Sequence, residues 1–229
     1  MTSRFAIYYA PAAEHPLWAK ASAWLGRDAA TGADIQHPHL SGLEGLDLKA
    51  LTEDPRHYGF HATLVAPFEL AEGKSQDELL QFAKRFAASQ VGFEADIAPA
   101  ALGSFLAFRI SGQSGAIQAL HEACVRAFHP FRAPQSEFDL ARRRRAPLTA
   151  EQDALLIRWG YPYVFSEFRF HMTLTGRIPD ETDRACILTA LRSYFADVTG
   201  PHRFDGIAVF KQDQRDAPFS IVARASFGG

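Results

Sequence analysis

The sequence predicts an α+β protein in which two pseudo-symmetric lobes of antiparallel sheet plus helices surround a central cleft. Aromatic and β-branched segments alternate with amphipathic ones, and the order strand, helix, strand, strand occurs twice. Each occurrence opens on a His-x-Thr-Leu segment. We expect one bilobal domain over residues 1–229, with a first lobe at about 56–111 and a second at about 168–227.

The first half of the chain supplies the elements of the first lobe. Runs of aromatic and β-branched residues predict strands at 4–9, 58–68, 91–98 and 104–111. Apolar residues at helical spacing predict helices at 15–26 and 75–89, the first ended by Gly26 and the second begun by a serine cap. Residues 27–57 are mixed and read mostly as a long loop.

The second half repeats this order after two connecting helices. Helices are predicted at 114–128, 149–160 and 180–196, and strands at 168–178, 203–211 and 218–227. Each repeated unit has one helix, which we expect to cover the sheet of its own unit.

Composition narrows the class of function. Hydrophobic residues make up 47% and charged residues 22%, which is typical of a globular protein and not of a disordered one. The net charge is −2, so long nucleic acid is not an expected partner. No apolar run is long enough to span a membrane, and Cys124 and Cys186 lie in no metal-binding pattern. We expect a cytoplasmic protein with two reduced thiols.

The repeated segments are "YGFHATLVAPF" at 58–68 and "FRFHMTLTGRI" at 168–178. Side chains two apart on a strand point the same way, so His61 shares a face with Thr63, and His171 shares a face with Thr173. We expect the two pairs to face each other across the cleft. Ala62, Met172 and the two following leucines should pack on the opposite face.

Paired histidines and threonines suit phosphoryl chemistry. One imidazole can act as a base while the other acts as an acid, and the hydroxyls of Thr63 and Thr173 can donate to non-bridging oxygens. The residues therefore predict hydrolysis of a phosphodiester by His61 and His171, with no metal and no cofactor. The sequence leaves open which histidine is the acid.

The paired "HATL" and "HMTL" segments resemble the signature of the 2H phosphoesterase superfamily, over essentially the whole chain. The strings "YGFHATLVAPF", "LARRRRAPLT" and "RWGYPYVFSEFRFHMTLTG" resemble a subfamily associated with phosphonate-utilisation operons, those of carbon–phosphorus lyase. The resemblance implies a cyclic phosphodiesterase acting on a small ribose phosphate such as 5-phosphoribosyl 1,2-cyclic phosphate.

Further residues are candidates for binding the substrate. The run Arg142, Arg143, Arg144 and Arg145 suits a second phosphate, or forms a solvated basic loop. Only one of Tyr8 and Tyr9 can face the cleft, and Lys211 could reach its mouth from the end of a strand. Tyr58 would point away from His61 if the strand began there.

Two alternative functions remain open at the level of sequence. One is a 2′,3′-cyclic phosphodiesterase acting on RNA ends or nucleotides. The other is a non-catalytic protein that binds a phosphosugar or a nucleotide. The expected partner is a small phosphorylated sugar or nucleotide, neither long nucleic acid nor a membrane is expected, and the oligomeric state is not predicted.

Overall fold

The structure, a computed structural model, describes residues 3–40, 43, 45–112 and 115–229. Within them, eight strands form one sheet in which every pairing is antiparallel. The strands are β1 (Arg4–Tyr9), β2 (Ala62–Glu69), β3 (Phe93–Leu102), β4 (Phe105–Ile110), β5 (Met172–Thr173), β6 (Gly200–Phe204), β7 (Gly206–Gln212) and β8 (Ser220–Ser226). The predicted α+β class and antiparallel sheet are confirmed.

Eight α-helices accompany the sheet in the described residues. They are α1 (Pro16–Leu25), α2 (Leu48–Leu51), α3 (Glu53–Tyr58), α4 (Gln76–Ala88), α5 (Gly115–Phe128), α6 (Glu137–Arg143), α7 (Ala150–Trp159) and α8 (Glu181–Tyr194). Ser75 and Thr149 form capping boxes, and Gly26 ends α1 in the left-handed region, as the sequence indicated. Ser114, the expected first residue of α5, lies outside the described residues. None of these helices is long and apolar enough to cross a membrane.

The strand order is β6-β3-β4-β5-β2-β1-β7-β8, which differs from the predicted pair of lobes. Strands from both sequence ranges, 56–111 and 168–227, occur in each half of this continuous sheet. Helix α4 packs on β7 and β8, and α8 packs on β3 and β4, so each helix covers strands of the other range. The expectation that each unit covers its own sheet is therefore wrong. The physical reason is that β1 pairs with both β2 and β7 and so joins distant parts of the chain.

The core lies under the side of the sheet that carries Ala62, Leu64, Met172 and Leu174. All four side chains are buried, as predicted from the strand alternation. Trp24 on α1 is also buried, and its Nε1–H donates to the Leu174 carbonyl at 2.7 Å. Burial of each large apolar side chain contributes roughly 1.5–3 kcal/mol, so this packing holds the central strands firmly in place.

Candidate functional site

The two repeated segments lie side by side in the middle of the sheet. Strands β2 and β5 are antiparallel neighbours, with Ala62 opposite Met172. This register places His61 across from Thr173, and Thr63 across from His171. Since Ala62 and Met172 are buried on one face, the histidines and threonines share the other. The four side chains are thus brought together by neighbouring strands of one sheet, and not by two lobes facing each other.

Both imidazoles are held in the same way. His61 Nδ1–H donates to the Gly59 carbonyl at 2.8 Å, and His171 Nδ1–H donates to the Arg169 carbonyl at 2.7 Å. In each case the acceptor lies two residues before the histidine. The bond fixes the neutral tautomer that leaves Nε2 without a proton. For His61, Nε2 lies 3.4 Å from the hydroxyl of Thr63, on the shared face.

A tight backbone turn sets the position of His61. Helix α3 ends at Tyr58, and Gly59 follows with φ +76. A Cβ at Gly59 would lie 2.4 Å from the Ala29 side chain, so the turn needs both a left-handed backbone and the absence of a side chain. The His61 ring then stacks on Tyr8, with ring centroids 3.8 Å apart and planes inclined by 22°.

The surroundings keep both histidines uncharged in the unliganded protein. Burial lowers the pKa of His61 to about 4; its bond to Gly59 opposes this, and the neighbouring His171 adds to it. Burial also lowers the pKa of His171, against its bond to Arg169 and together with the nearby Arg109 guanidinium. At neutral pH, Nε2 of each ring is therefore a proton acceptor.

A cavity of about 250 Å³ opens beside these residues and carries a strong positive charge. It is lined by Arg4, Tyr8, Tyr58, His61, Thr63, Ala66, Pro67, Arg142, Arg143, Tyr161 and Thr173. Three of these are arginines, and three are tyrosines with hydroxyl groups. His171 is not among the lining residues, although it lies next to Thr173 on the same face.

The arginines reach the cavity from two elements, β1 and α6. Arg4 lies on β1 and donates through Nε to the Gln212 side chain at 2.8 Å. Arg142, on α6, lies 3.5 Å from Asp139, and the Arg143 guanidinium lies 4.8 Å from the centre of the Tyr161 ring. Burial lowers the pKa of Arg4, and the neighbouring guanidinium of Arg142 adds to the effect. Like charges held this close create a site that favours an anion.

Four predicted binding residues lie outside the cavity. Tyr9 points to the other face, where its hydroxyl lies 2.5 Å from His202 Nε2. Lys211 pairs with Phe5 across the sheet, on the face away from Arg4 and Tyr8, and its Nζ lies 2.9 Å from Asp213. Arg144 makes a bidentate ion pair with Asp153, and Arg145 is exposed beyond the end of α6. Strand alternation directs Tyr9 and Lys211 away from the cavity. The end of α6 at Arg143 directs Arg144 and Arg145 away from it.

Three of the polar lining residues were not among the predicted binding residues. Arg4 lies four residues before Tyr8 on one strand, so the period of two could have placed it on the same face. Tyr58 belongs to the end of α3 and not to a strand, which turns its ring toward His61 with ring centroids 6.0 Å apart. Tyr161 lies just after α7, and nothing in the neighbouring sequence indicates that it faces the cavity. Among the described residues, no group of three or more His, Cys, Asp or Glu side chains is placed to hold a metal ion.

The chain is similar to one described protein family and to two longer named proteins. A family model described as "Protein of unknown function (DUF1045)" matches residues 63–220. A protein of Janthinobacterium sp. (strain Marseille), named "Ribose 1,5-bisphosphate phosphokinase PhnN", is 41% identical over 234 residues, covering 99% of this chain and 51% of the relative. One of the same name from Laribacter hongkongensis (strain HLHK9) is 37% identical over 223 residues, covering 95% and 50%. The chain spans about half the length of these curated relatives.

A solved structure, the crystal structure of the protein TT0787 of Thermus thermophilus, superposes with a TM-score of 0.48 at 12% identity, covering 99% of this chain and 98% of that one. The names of the relatives correct the predicted activity. A phosphokinase transfers a phosphoryl group, so the expected cyclic phosphodiesterase, a hydrolase, is contradicted.

Proposed function

The chain belongs to the DUF1045 family, and from this membership and the cavity we propose that it binds a phosphorylated ribose as the acceptor-binding part of a ribose 1,5-bisphosphate phosphokinase. The observation that carries the proposal is the grouping of His61, Thr63 and Thr173 with three cavity arginines. Hydroxyls, imidazoles and guanidiniums are together the groups that proteins use for phosphate oxygens.

We assign one phosphoryl group of the ribose to the four side chains of the central strands. The hydroxyls of Thr63 and Thr173 donate to its oxygens. A phosphate ester has a second pKa of about 6, so part of it arrives with a proton at neutral pH. The negative charge of the bound phosphate raises the pKa that burial had lowered, so the bare Nε2 of His61 or His171 accepts that proton, which leaves the phosphoryl group as a dianion and the imidazole as its counter-charge. A dianion is the more nucleophilic form for accepting a further phosphoryl group.

We assign the second phosphate to Arg4, Arg142 and Arg143. They line the same cavity as His61 and Thr173, so one small molecule can contact both groups. The net charge around them is positive even after Asp139 is counted, because Arg215 also pairs with that carboxylate, at 2.8 Å. A bisphosphate would neutralise charges that otherwise repel one another. Arg forks also fix the orientation of the sugar, which a single phosphate site would leave free.

The acceptor is a better assignment to this chain than the phosphoryl donor. Many kinases hold nucleotide phosphates with the pattern G-x-x-x-x-G-K-[ST]. The sequence has Gly73, Lys74 and Ser75 in a row, but Phe68 stands where the first glycine belongs. The Ser75 side chain is also engaged in capping α4. We therefore assign to this chain a share of the phosphokinase reaction and not the whole of it.

We propose further that the resemblance to the 2H phosphoesterase superfamily extends to the arrangement of the site, without its hydrolytic activity. The pairing of β2 with β5 in the centre of the sheet, with four strands on either side of their boundary, supports this relationship. A role in phosphonate metabolism is compatible with it, as the resemblance to the operon-associated subfamily implies.

The test is binding of ribose 1,5-bisphosphate to the chain, measured by calorimetry. We expect Arg143→Ala to weaken binding by about tenfold or more, because a charge-assisted hydrogen bond contributes roughly 1.5–3 kcal/mol. Arg144→Ala is the matched control, since Arg144 is in the same run but pairs with Asp153 outside the cavity. Equal losses in both variants, or no binding by the unmodified chain, would refute the proposal.

A second measurement addresses the central residues. Thr173→Val removes a hydroxyl while keeping the shape of the side chain, and we expect it to weaken binding of ribose 1,5-bisphosphate and of ribose 5-phosphate alike. Arg143→Ala should affect the bisphosphate more strongly than the monophosphate. If the two variants show the same pattern, the assignment of the two phosphates to separate positions is wrong.

A further inference from the structure

His121 is buried between the two segments that carry the site, yet lines no part of the cavity. It lies on α5, which packs against β2 and against the residues that precede β5. Its ring stacks on Phe168, with centroids 3.8 Å apart and planes inclined by 7°. Its Nε2 accepts the backbone N–H of Phe165 at 3.1 Å, so that nitrogen carries no proton. Burying a polar ring this completely costs free energy of folding unless hydrogen bonds compensate for the lost contact with water.

Phe165 has a backbone conformation that residues with a bulky side chain rarely adopt. Its φ is +55, in the left-handed region, and it is the one non-glycine residue with positive φ among those described. Such strain persists only where the surroundings enforce it, and it is concentrated at functional sites. A glycine or asparagine would adopt this backbone more easily, so the local sequence does not account for the conformation.

Three side chains of α5 hold Phe165 in that conformation. His121 binds its N–H, and the Gln118 side chain donates to its carbonyl at 2.8 Å. The Arg126 guanidinium lies 4.6 Å from the centre of its ring. The two peptide groups that flank the Cα of Phe165 are therefore both held, one through its N–H and the other through its carbonyl, and the ring is held as well.

The held segment leads directly to the site. Arg169 follows Phe165 by four residues, and its carbonyl accepts the Nδ1–H of His171. Any shift of this segment moves the carbonyl that selects the tautomer of His171. The Leu64 carbonyl lies near the His121 ring and opposes the effect of burial on the pKa of His121, while the buried Nδ1 makes no hydrogen bond; Leu64 directly follows Thr63. One buried ring thus contacts the segment before the second motif and lies near the first.

We propose that His121 is a positioning residue, which holds Phe165 in its left-handed conformation and so fixes the Arg169 carbonyl and the His171 imidazole. The proposal rests on the proposed function in one respect, namely that His171 serves a phosphoryl group bound in the cavity beside it. Its structural content, the link from His121 to the tautomer of His171, does not depend on which ligand binds.

The test compares two variants of the whole chain. His121→Phe keeps a flat ring on Phe168 but removes the acceptor, whereas His121→Gln keeps an acceptor for the Phe165 N–H. Nitrogen-detected NMR of His171 measures its tautomer, and calorimetry measures affinity for ribose 1,5-bisphosphate. In His121→Phe we expect a mixture of His171 tautomers and about tenfold weaker binding. In His121→Gln we expect both to stay close to the unmodified chain.

The results separate a positioning role from a packing role. If His121→Phe keeps the single His171 tautomer, or if both variants weaken binding equally, the proposal is wrong. Should His121→Phe fail to fold, Gln118→Leu removes the other backbone bond to Phe165, and the same two readouts decide. If the unmodified chain does not bind ribose 1,5-bisphosphate, the proposed function fails, while the NMR measurement still decides the role of His121.

Discussion

The pair formed by Tyr9 and His202 makes the stability of the fold depend on pH. His202 is 3% exposed, on the side of the sheet away from the candidate site, and its Nε2 faces the Tyr9 hydroxyl. Burial lowers its pKa from 6.5 to about 4, and the neighbouring His15 adds to the effect. The folded protein therefore binds fewer protons than the unfolded chain between these two values. Stability from this residue is complete above pH 6.5 and is lost as the pH falls toward 4.

The size of the effect follows from the two pKa values. At pH 4.5 the unfolded histidine is almost fully protonated while the folded one is mostly neutral, and the difference amounts to about 2.5 kcal/mol. We propose urea unfolding at pH 7.0 and pH 4.5 for the unmodified chain and for His202→Gln. The variant should be less stable at pH 7.0, but its loss between the two pH values should be smaller by about 2.5 kcal/mol.

A matched control separates this effect from general acid sensitivity. His39 is exposed, so His39→Gln should lose as much stability on acidification as the unmodified chain. If His202→Gln and the unmodified chain also lose the same amount, to within about 0.5 kcal/mol, His202 does not carry the pH dependence and the reasoning from burial is refuted.

Three further outcomes follow from the structure. Binding of ribose 1,5-bisphosphate at pH 7 should take up protons, because a dianion raises the lowered pKa of His61; calorimetry in buffers of different ionisation enthalpy measures this. Gly160→Ala should destabilise the fold by about 2 kcal/mol or more in urea unfolding, since φ is +74 and the new Cβ would lie 2.1 Å from Arg132 Nε. A thiol reagent should label Cys186, which is exposed, and leave Cys124 unreacted until urea is added, because burial raises the pKa of Cys124.

Local periodicity predicted the parts of the site that lie within one element. The alternation along a strand placed His61 with Thr63 and His171 with Thr173, and it explains why Ala62 is buried. It could not show that these strands are direct neighbours. The pairing of Ala62 with Met172 joins residues 110 positions apart, and such pairing is set by the packing of the whole chain.

Residues at the ends of elements were harder to place. Tyr58 was read as the start of a strand, but it closes a helix, and that difference of one element reverses the direction of its ring. The four adjacent arginines cannot be told apart in the sequence. Helix α6 ends among them, so that Arg143 points toward the cavity and Arg144 pairs with Asp153. A one-residue change in a boundary therefore decides which side chains line the cavity, and helix boundaries are hard to predict to the residue.

The position of β1 has a consequence for how the chain folds. β1 is made before its partner β7, which comes about two hundred residues later, as the pairing of Arg4 with Gln212 shows. β3 likewise pairs with β6 across a long stretch of chain. Contacts between residues so far apart in sequence slow folding, because the chain loses the entropy of closing a long loop before strand pairing stabilises it. During synthesis, the edge of β1 that pairs with β7 stays open until β7 emerges, and the pairing of β2 with β5 waits until the residues of β5 are made.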